Sequence, residues 1–370
     1  MTPEYKQSEL YVGKDELYKR AAQLELTEGW RLGESLFEMN PDIFRLKADC
    51  AFLMREMPYK GNVVEFENGG EKWGFVRSTL ATAIRYGLPY VAQVNDQRKS
   101  DNPVKFGTIV ACVRPEDLLS SPVLGIREGV FAQADLEYAS SVSSAQDYAK
   151  LNAQLIQESV NWLVSLGLPP EQIQVRINNF TEILFNVLSS DKSTVNPLLV
   201  KMAWEMLNEV DRNIFEQNLE GASRLKESAQ ALLQLSSDQG IIDKEQRRVV
   251  GGWITDGNYD PAALERFPKA EAALKTLEKI KNDTECRLEG THIVVSPNSY
   301  RITPYAYSGF TFQIDAIGLN GTPIAEIAGG GDYSQTALNY WRAKYGEPEG
   351  NTCFTGIAFG LMRISTLLKK

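Results

Sequence analysis

The sequence predicts an α+β fold: an antiparallel sheet flanked by helices, with a helical insertion, in a chain of 370 residues. Two observations carry that prediction. Strand-like runs with near-alternating apolar residues fill the first half and return near the C-terminal end, and between them lies a charged stretch of helical period. The length allows one large core or two smaller ones.

From residue 14 to about 180, "KDELYKRAAQLEL" reads as a helix. "GNVVEFE", "KWGFVRS", "FGTIVACVR", "VFAQADLEYAS" and "IQVRINN" read as strands. "SAQDYAKLNAQLIQESVNWLVSLGL" opens on a capping serine, keeps apolar residues three and four apart, and stops at Gly167, so it is a helix. The segments therefore divide as 1–180, the first part of the main domain; 181–285, a helical insertion; and 286–370, where "THIVVSPN", "SGFTFQIDAIG" and "PIAEIAGGG" return to strand character. "FTGIAFGLMRISTLLKK" then runs from a strand through a glycine turn into a last helix.

A net charge of -9 argues against a surface built mainly to hold nucleic-acid phosphates. Cys50, Cys112, Cys286 and Cys353 show no metal-site or disulfide spacing and suit reduced thiols, so no metal site is expected. The single histidine, His292, lies in a strand-like run, which disfavours chemistry needing several imidazoles. No long apolar run and no signal peptide are evident, so a cytoplasmic protein without membrane contact is expected.

Arginine placement is the most informative feature. Arg114 and Glu116 end one strand, a loop containing Pro122 and Gly125 follows, and Arg127 precedes Phe131 by four residues at the start of the next. Forked, permanently charged guanidiniums suit phosphates or carboxylates, and a nearby ring can stack on a flat base. A third fork, Arg363, follows Gly356 and Gly360 in "GIAFGLMR", where missing side chains would let a ligand approach the backbone. "IAGGGDYSQT" lacks the Lys-Ser/Thr of a phosphate loop, and its glycines suggest a bare strand beside a ligand.

These stretches resemble class II aminoacyl-tRNA synthetases. "VRPE…REGVFAQAD" is similar to motif 2, with its closing acid, and "GIAFGLMR" to the motif 3 arginine. "FAQADLE", "YSGFTF", "IAGGGDYSQT" and "FVRSTLATAIRYG" resemble, in order, segments of the histidyl-tRNA synthetase catalytic domain, over about residues 14 to 367. The resemblance implies a class II synthetase-like fold binding ATP and Mg²⁺. Arg114 would hold the α-phosphate and the substrate carboxylate, and Arg363 would sit on the γ-phosphate or the opposite face. Glu116, Arg127 and Phe131 would hold the nucleotide: the adenine amino group, the β- and γ-phosphates and the adenine ring. Gln133, Glu137, Tyr307 and Tyr333 would surround an amino-acid substrate. Adenylation of this kind relies on positioning by cations rather than on a protein base.

The departures from the family bear on function. Thr79 stands where the family has the glutamate for the substrate ammonium, and Ala81 where it has a threonine. Ile302 stands for a catalytic arginine, with Arg301 adjacent. Asp332 and Ser334 replace the arginine and acid around Tyr333, and Ser35 replaces the motif 1 proline. Thr79 and Asp332 are therefore counted with the substrate-binding residues. The anticodon-binding domain that follows motif 3 in the family is not in this sequence, which leaves tRNA open as a partner.

The resemblance thus implies an AMP-forming ligase that activates an amino acid or related carboxylate for a non-tRNA acceptor, as a homodimer through motif 1. The alternative is a non-catalytic regulatory paralogue, like the synthetase-like subunit that controls ATP phosphoribosyltransferase.

Overall fold

The computed structural model describes residues 28–46, 50–56, 63–95, 102–113, 130–188, 210, 218–297, 307, 309–346 and 351–369. The expected helix at 14–26, the loop that carries Arg114, Glu116 and Arg127, and the segment with Arg301 and Ile302 lie outside them.

The chain begins with α1 (Glu28–Met39), β1 (Phe44–Arg45), β2 (Ala51–Leu53), β3 (Glu65–Asn68) and β4 (Glu71–Phe75). A continuous helical run follows, α2, built from Leu80–Thr82, a π-type segment Ala83–Gly87 and Leu88–Asn95. Next come β5 (Val104–Gly107), β6 (Ile109–Val113), β7 (Val130–Ser141), α3 (Ala145–Ser165), β8 (Ile173–Asn178) and α4 (Phe180–Leu188). The helical segment continues with α5 (Leu219–Asp238), α6 (Lys244–Asp256) and α7 (Pro268–Glu285). The chain closes with β9 (His292–Val295), β10 (Thr311–Ile317), β11 (Pro323–Asp332), α8 (Ser334–Tyr345), β12 (Thr352–Gly360) and α9 (Leu361–Leu368).

Among the described residues the main sheet runs β1-β5-β7-β12-β11-β10-β8-β9, with β6 also paired to β7. Its pairings are antiparallel except β1 with β5 and β8 with β9. The runs "GNVVEFE" and "KWGFVRS" do not join it. β2, β3 and β4 form a separate three-stranded sheet, whose Phe66 and Phe75 rings pack 4.9 Å apart over Ala111, Val113 and Val130.

Alternation along β7 decides which face is buried by helices. Ala132, Ala134, Leu136 and Tyr138 join Ile357 and Phe359 of β12, Phe312 and Ile314 of β10 and Val175 and Ile177 of β8 in the largest apolar cluster. That back face packs against Leu155, Ile156, Val160 and Trp162 of α3 and Leu274, Leu277 and Ile280 of α7. The helical segment therefore shares a core with the sheet. Ser144 caps α3 as its sequence suggests, its hydroxyl accepting from Asp147 N at 3.1 Å.

Ser35 occupies mid-helix in α1, where a proline would break the backbone bonding. Its hydroxyl donates to Leu32 O at 2.7 Å and accepts from Trp162 Nε1 at 3.1 Å, tying α1 to α3. Trp162 is fully buried, so Ser35→Ala leaves its indole N–H without an acceptor. We expect a loss of about 1–2 kcal/mol in urea denaturation from that substitution.

Candidate functional site

Residues facing one another across an antiparallel sheet share a face, so register maps the front of this one. One row runs Asp135–Ala358–Gly329–Gln313–Arg176, and the next runs Glu137–Gly356–Gly331–Thr311–Asn178. Glycine and alanine occupy the middle strands, and acids, amides and an arginine stand at the sides. Ala358 and Gly360 are only partly buried, whereas Gln133, Asp135, Glu137 and Gln313 are buried. The result is a small-residue floor with polar walls. Toward β5, the front is covered by α2, whose Leu80, Ile84 and Leu88 pack with Val104, Phe106, Ala139, Tyr333 and Phe354.

The wall on β7 carries the densest chemistry. Thr108 interrupts the strand between β5 and β6, and its freed N–H donates to Asp135 Oδ1 while Asp135 N donates to Thr108 O at 3.0 Å. Thr79, just before α2, brings its hydroxyl to Asp135; Asp135 adjoins Glu137; and Glu137 adjoins Tyr333. Yet Thr79 Oγ1, Asp135 Oδ2, Glu137 Oε2 and Tyr333 OH each lack a hydrogen bond of good geometry. Burial lifts the Asp135 carboxyl to about 7, against the lowering pull of its hydrogen-bonding neighbours. Burial, and then the Asp135 charge, hold Glu137 well above the usual carboxylate range. Two adjacent buried carboxyls that resist ionisation together mark a place where a cation or a shared proton is favoured.

Gly356 has a specific reason on this wall. A Cβ there would lie 1.5 Å from Glu137 Oε2, so the carboxylate is folded over the space a side chain would fill. The triple glycine also has a steric reason. A Cβ on Gly330 would meet Gly356 O at 1.9 Å, and one on Gly331 (φ 154°) would meet Phe310 O at 2.3 Å. Two of these glycines let β11 fit closely against neighbouring backbone; they are needed whether or not a ligand lies there.

Of the residues singled out from sequence, Thr79, Gln133, Glu137 and Tyr333 come together on this face, with half-buried Tyr307 in the same cluster as Tyr333. Gln133 Oε1 accepts from Cys112 Sγ at 3.4 Å. Phe131 is half-buried at the start of β7, against Phe52, Val76 and Tyr86. Asp332 is not brought to them. It pairs in register with Thr355, one place off the Gly331–Gly356 row, and both side chains are engaged by α3. Tyr148 OH donates to Asp332 Oδ2 at 2.8 Å, and Thr355 Oγ1 donates to Asn152 Oδ1 at 2.7 Å. The other Asp332 oxygen accepts from Ser334 N at 2.8 Å, at the start of α8.

Arg363, on α9, donates from Nη1 to Glu326 O at 2.7 Å and pairs with Glu326 Oε2 at 3.5 Å. Glu326 itself faces Asp315, which accepts from Arg176 Nε at 2.9 Å and Gln313 Nε2 at 2.6 Å. Two acids are thus clasped by two arginines at the far side of the floor. Sequence reading missed Asp135 except as the acid closing motif 2, and missed Gln313, Asp315 and Arg176. A signal existed: Gln133, Asp135 and Glu137, like Thr311, Gln313 and Asp315, recur every second residue inside strand-like runs, which places a polar set on one face.

A sheet of this order, backed by helices and bearing its polar residues on the opposite face, is the class II synthetase type of α+β fold. Solved structures agree. The chain superposes on an ATP phosphoribosyltransferase regulatory subunit/histidyl-tRNA synthetase from Bacillus halodurans C with a TM-score of 0.62 at 12% identity, covering 93% of this chain and 80% of that one. For histidyl-tRNA synthetase from Nostoc sp. PCC 7120 the TM-score is 0.61 at 16% identity, covering 95% and 73%. For a histidine–tRNA ligase subunit from Alicyclobacillus acidocaldarius it is 0.58 at 13%, covering 97% and 95%. No protein-family model and no curated protein matches the sequence. The chain therefore has a histidyl-tRNA synthetase-like class II fold. No helix among the described residues is long and apolar enough to cross a membrane.

Proposed function

We propose that this protein binds an amino acid or related carboxylate on the front face of its sheet and activates it with ATP and Mg²⁺, handing the acyl group to an acceptor other than tRNA. The observation that carries the reading is the buried β7 wall, with its uncommitted carboxylate and hydroxyl oxygens, over a small-residue floor in a histidyl-tRNA synthetase-like fold. In the reaction, a substrate carboxylate oxygen attacks the α-phosphorus, the bond to the β-phosphate oxygen breaks, and pyrophosphate leaves with the metal. Cations serve this chemistry by neutralising the phosphates. Arg114 is assigned to the α-phosphate and substrate carboxylate, Arg127 to the β- and γ-phosphates, Arg363 to the γ-phosphate or the opposite face, and Glu116 and Phe131 to adenine. Mg²⁺ would enter bound to the nucleotide phosphates, whose charge it offsets.

A homodimer through α1 and β1 belongs to the proposal. β1 ends the sheet, and its Phe44, 46% exposed, stacks on Tyr90 at 3.9 Å. Light scattering should give twice the chain mass.

A second reading, a regulatory subunit without catalysis, is favoured by one observation: Arg363 is already held by the Glu326 carbonyl and carboxylate. One structural neighbour also carries the regulatory-subunit name. Pyrophosphate exchange into ATP with a panel of amino acids separates the two. Adenylation predicts exchange with at least one amino acid, reduced about 100-fold or more by Arg114→Ala. No exchange, together with no ATP binding by calorimetry, would sink it, and co-purification with a phosphoribosyltransferase would support the alternative.

A further inference from the structure

Asp332 lies off the floor of the front face and has no part in the proposed reaction. Its surroundings define a second place on the molecule. Three segments meet there: Asn179, which joins β8 to α4; Gly309, two residues before β10; and Asp332, the last residue of β11. Tyr148 of α3 closes the remaining side. Outside the adjoining residues, the nearest heavy atoms to a Cβ built on Gly309 are Asn179 Oδ1, Asp332 Oδ2 and Tyr148 OH, each at 3.9 Å. All three are oxygens, and Gly309 is partly exposed, so solvent reaches the recess they share.

Each of these oxygens offers lone pairs to the recess. The Tyr148 hydroxyl gives its proton to Asp332 Oδ2 at 2.8 Å, and burial, then the Asp332 charge, hold that phenol well above its ordinary range, so it stays a neutral donor. Asn179 is 6% exposed, and its Oδ1 has no hydrogen-bond partner. That orientation has a cause. Asn179 Nδ2 donates to Glu182 Oε2, a carboxylate that accepts, and so Oδ1 is left on the Gly309 side. An asparagine heading a helix ordinarily gives this oxygen to the first turn. The other neighbours of Asp332 are Ser334, which donates to Oδ1, and Cys353, whose thiol is kept protonated by burial. None of these groups is a cation, whereas Asp332 and Glu182 are both acids.

We propose that this recess is a binding site for a hard divalent cation of the calcium type, held by Asp332 Oδ2, Asn179 Oδ1 and Tyr148 OH, with water completing its shell. Calcium takes about six to eight oxygens in a flexible arrangement, amide carbonyls and waters among them. A water molecule alone would donate to two of the three acceptors and leave the Asp332 charge unbalanced. The site has one direct carboxylate, and no group of three acidic, histidine or cysteine side chains able to hold a metal exists among the described residues, so the affinity is weak, about millimolar. A bound cation would fasten the ends of β8, β10 and β11 to α3, next to Tyr333, which adjoins Glu137 on the opposite face.

The test uses the full chain, stripped with EDTA and free of nucleotide, at fixed ionic strength. Calcium chloride should raise the unfolding temperature with a saturable dose dependence centred at about 1 mM, and potassium chloride should not. Gly309→Ala is the diagnostic variant. Its methyl meets the three oxygens at ordinary contact distance and removes none of them, so the cation-free unfolding temperature should stay close to wild type while calcium binding weakens about tenfold or more. Asp332→Asn removes the charge and should give the same loss if the alanine variant does not fold. No saturable calcium response, an equal response to potassium, or an undiminished response in either folded variant would overturn the site. No nucleotide is present, so a failure of pyrophosphate exchange bears on the adenylation reading alone.

Discussion

Replacing Gly330 with alanine should cost about 3 kcal/mol or more of stability, read as the fall in the urea unfolding free energy. The added Cβ would lie 1.9 Å from Gly356 O and 2.7 Å from Ile357 Cα. Both are backbone atoms of the adjoining strand, so no side-chain rotation relieves the contact, and β11 must separate from β12. Those strands are the middle of the sheet, between β7 and β10. Gly252 gives the control. It lies inside α6 with nothing within 4 Å of a built Cβ, so Gly252→Ala should be neutral or stabilise by about 0.5–1 kcal/mol. Equal small effects at both positions would show that β11 is not packed as closely as described.

The second large effect concerns pH. Asp135 titrates near 7 in the folded protein against 3.8 for an ordinary aspartate, so between those values the folded chain holds a proton that the unfolded chain has released. Stability from this group is complete below the lower value and is lost as pH rises through the upper one. Ligand-free protein should therefore weaken from about pH 4 to about pH 8 at this site, by an amount on the order of a few kcal/mol. Glu137 is raised in the same direction, in part by the Asp135 charge. Asp135→Asn should flatten that slope and make the protein more stable than wild type at about pH 8. If the variant is less stable at every pH, the Asp135 carboxyl stabilises the ligand-free protein throughout and the expected penalty of its ionisation is absent.

The sequence made the α+β class legible because alternation and helical period survive in long runs such as β7 and α3. The ordered motif set made the synthetase-like fold legible where no single spacing did. Strand partnership was less accessible: "GNVVEFE" and "KWGFVRS" look like main-sheet strands, but pairing depends on contacts distant in sequence, and they close a small sheet of their own. The floor was legible in part. Glu137 and Tyr333 came from the resemblance, whereas Asp135 needed the β5–β6 interruption at Thr108 to show why one of its oxygens is fixed. Asp332 illustrates the opposite limit. As a substitution beside glycines it pointed to an altered substrate, yet one residue of strand phase sends its carboxylate to Tyr148 and the α3 side. The glycines before it are explained by backbone crowding at Gly330 and Gly331, and Gly356 by the Glu137 carboxylate.

We propose that the front of the sheet, between the β7 wall and Gln313, is where an amino acid or related carboxylate binds. A crystal structure of the protein soaked with the tightest-binding amino acid tests it most directly. Ligand density is expected over Ala358 and Gly329, within hydrogen-bond distance of the β7 wall. Density at another face, with Asp135 and Glu137 still closed on each other, would contradict it.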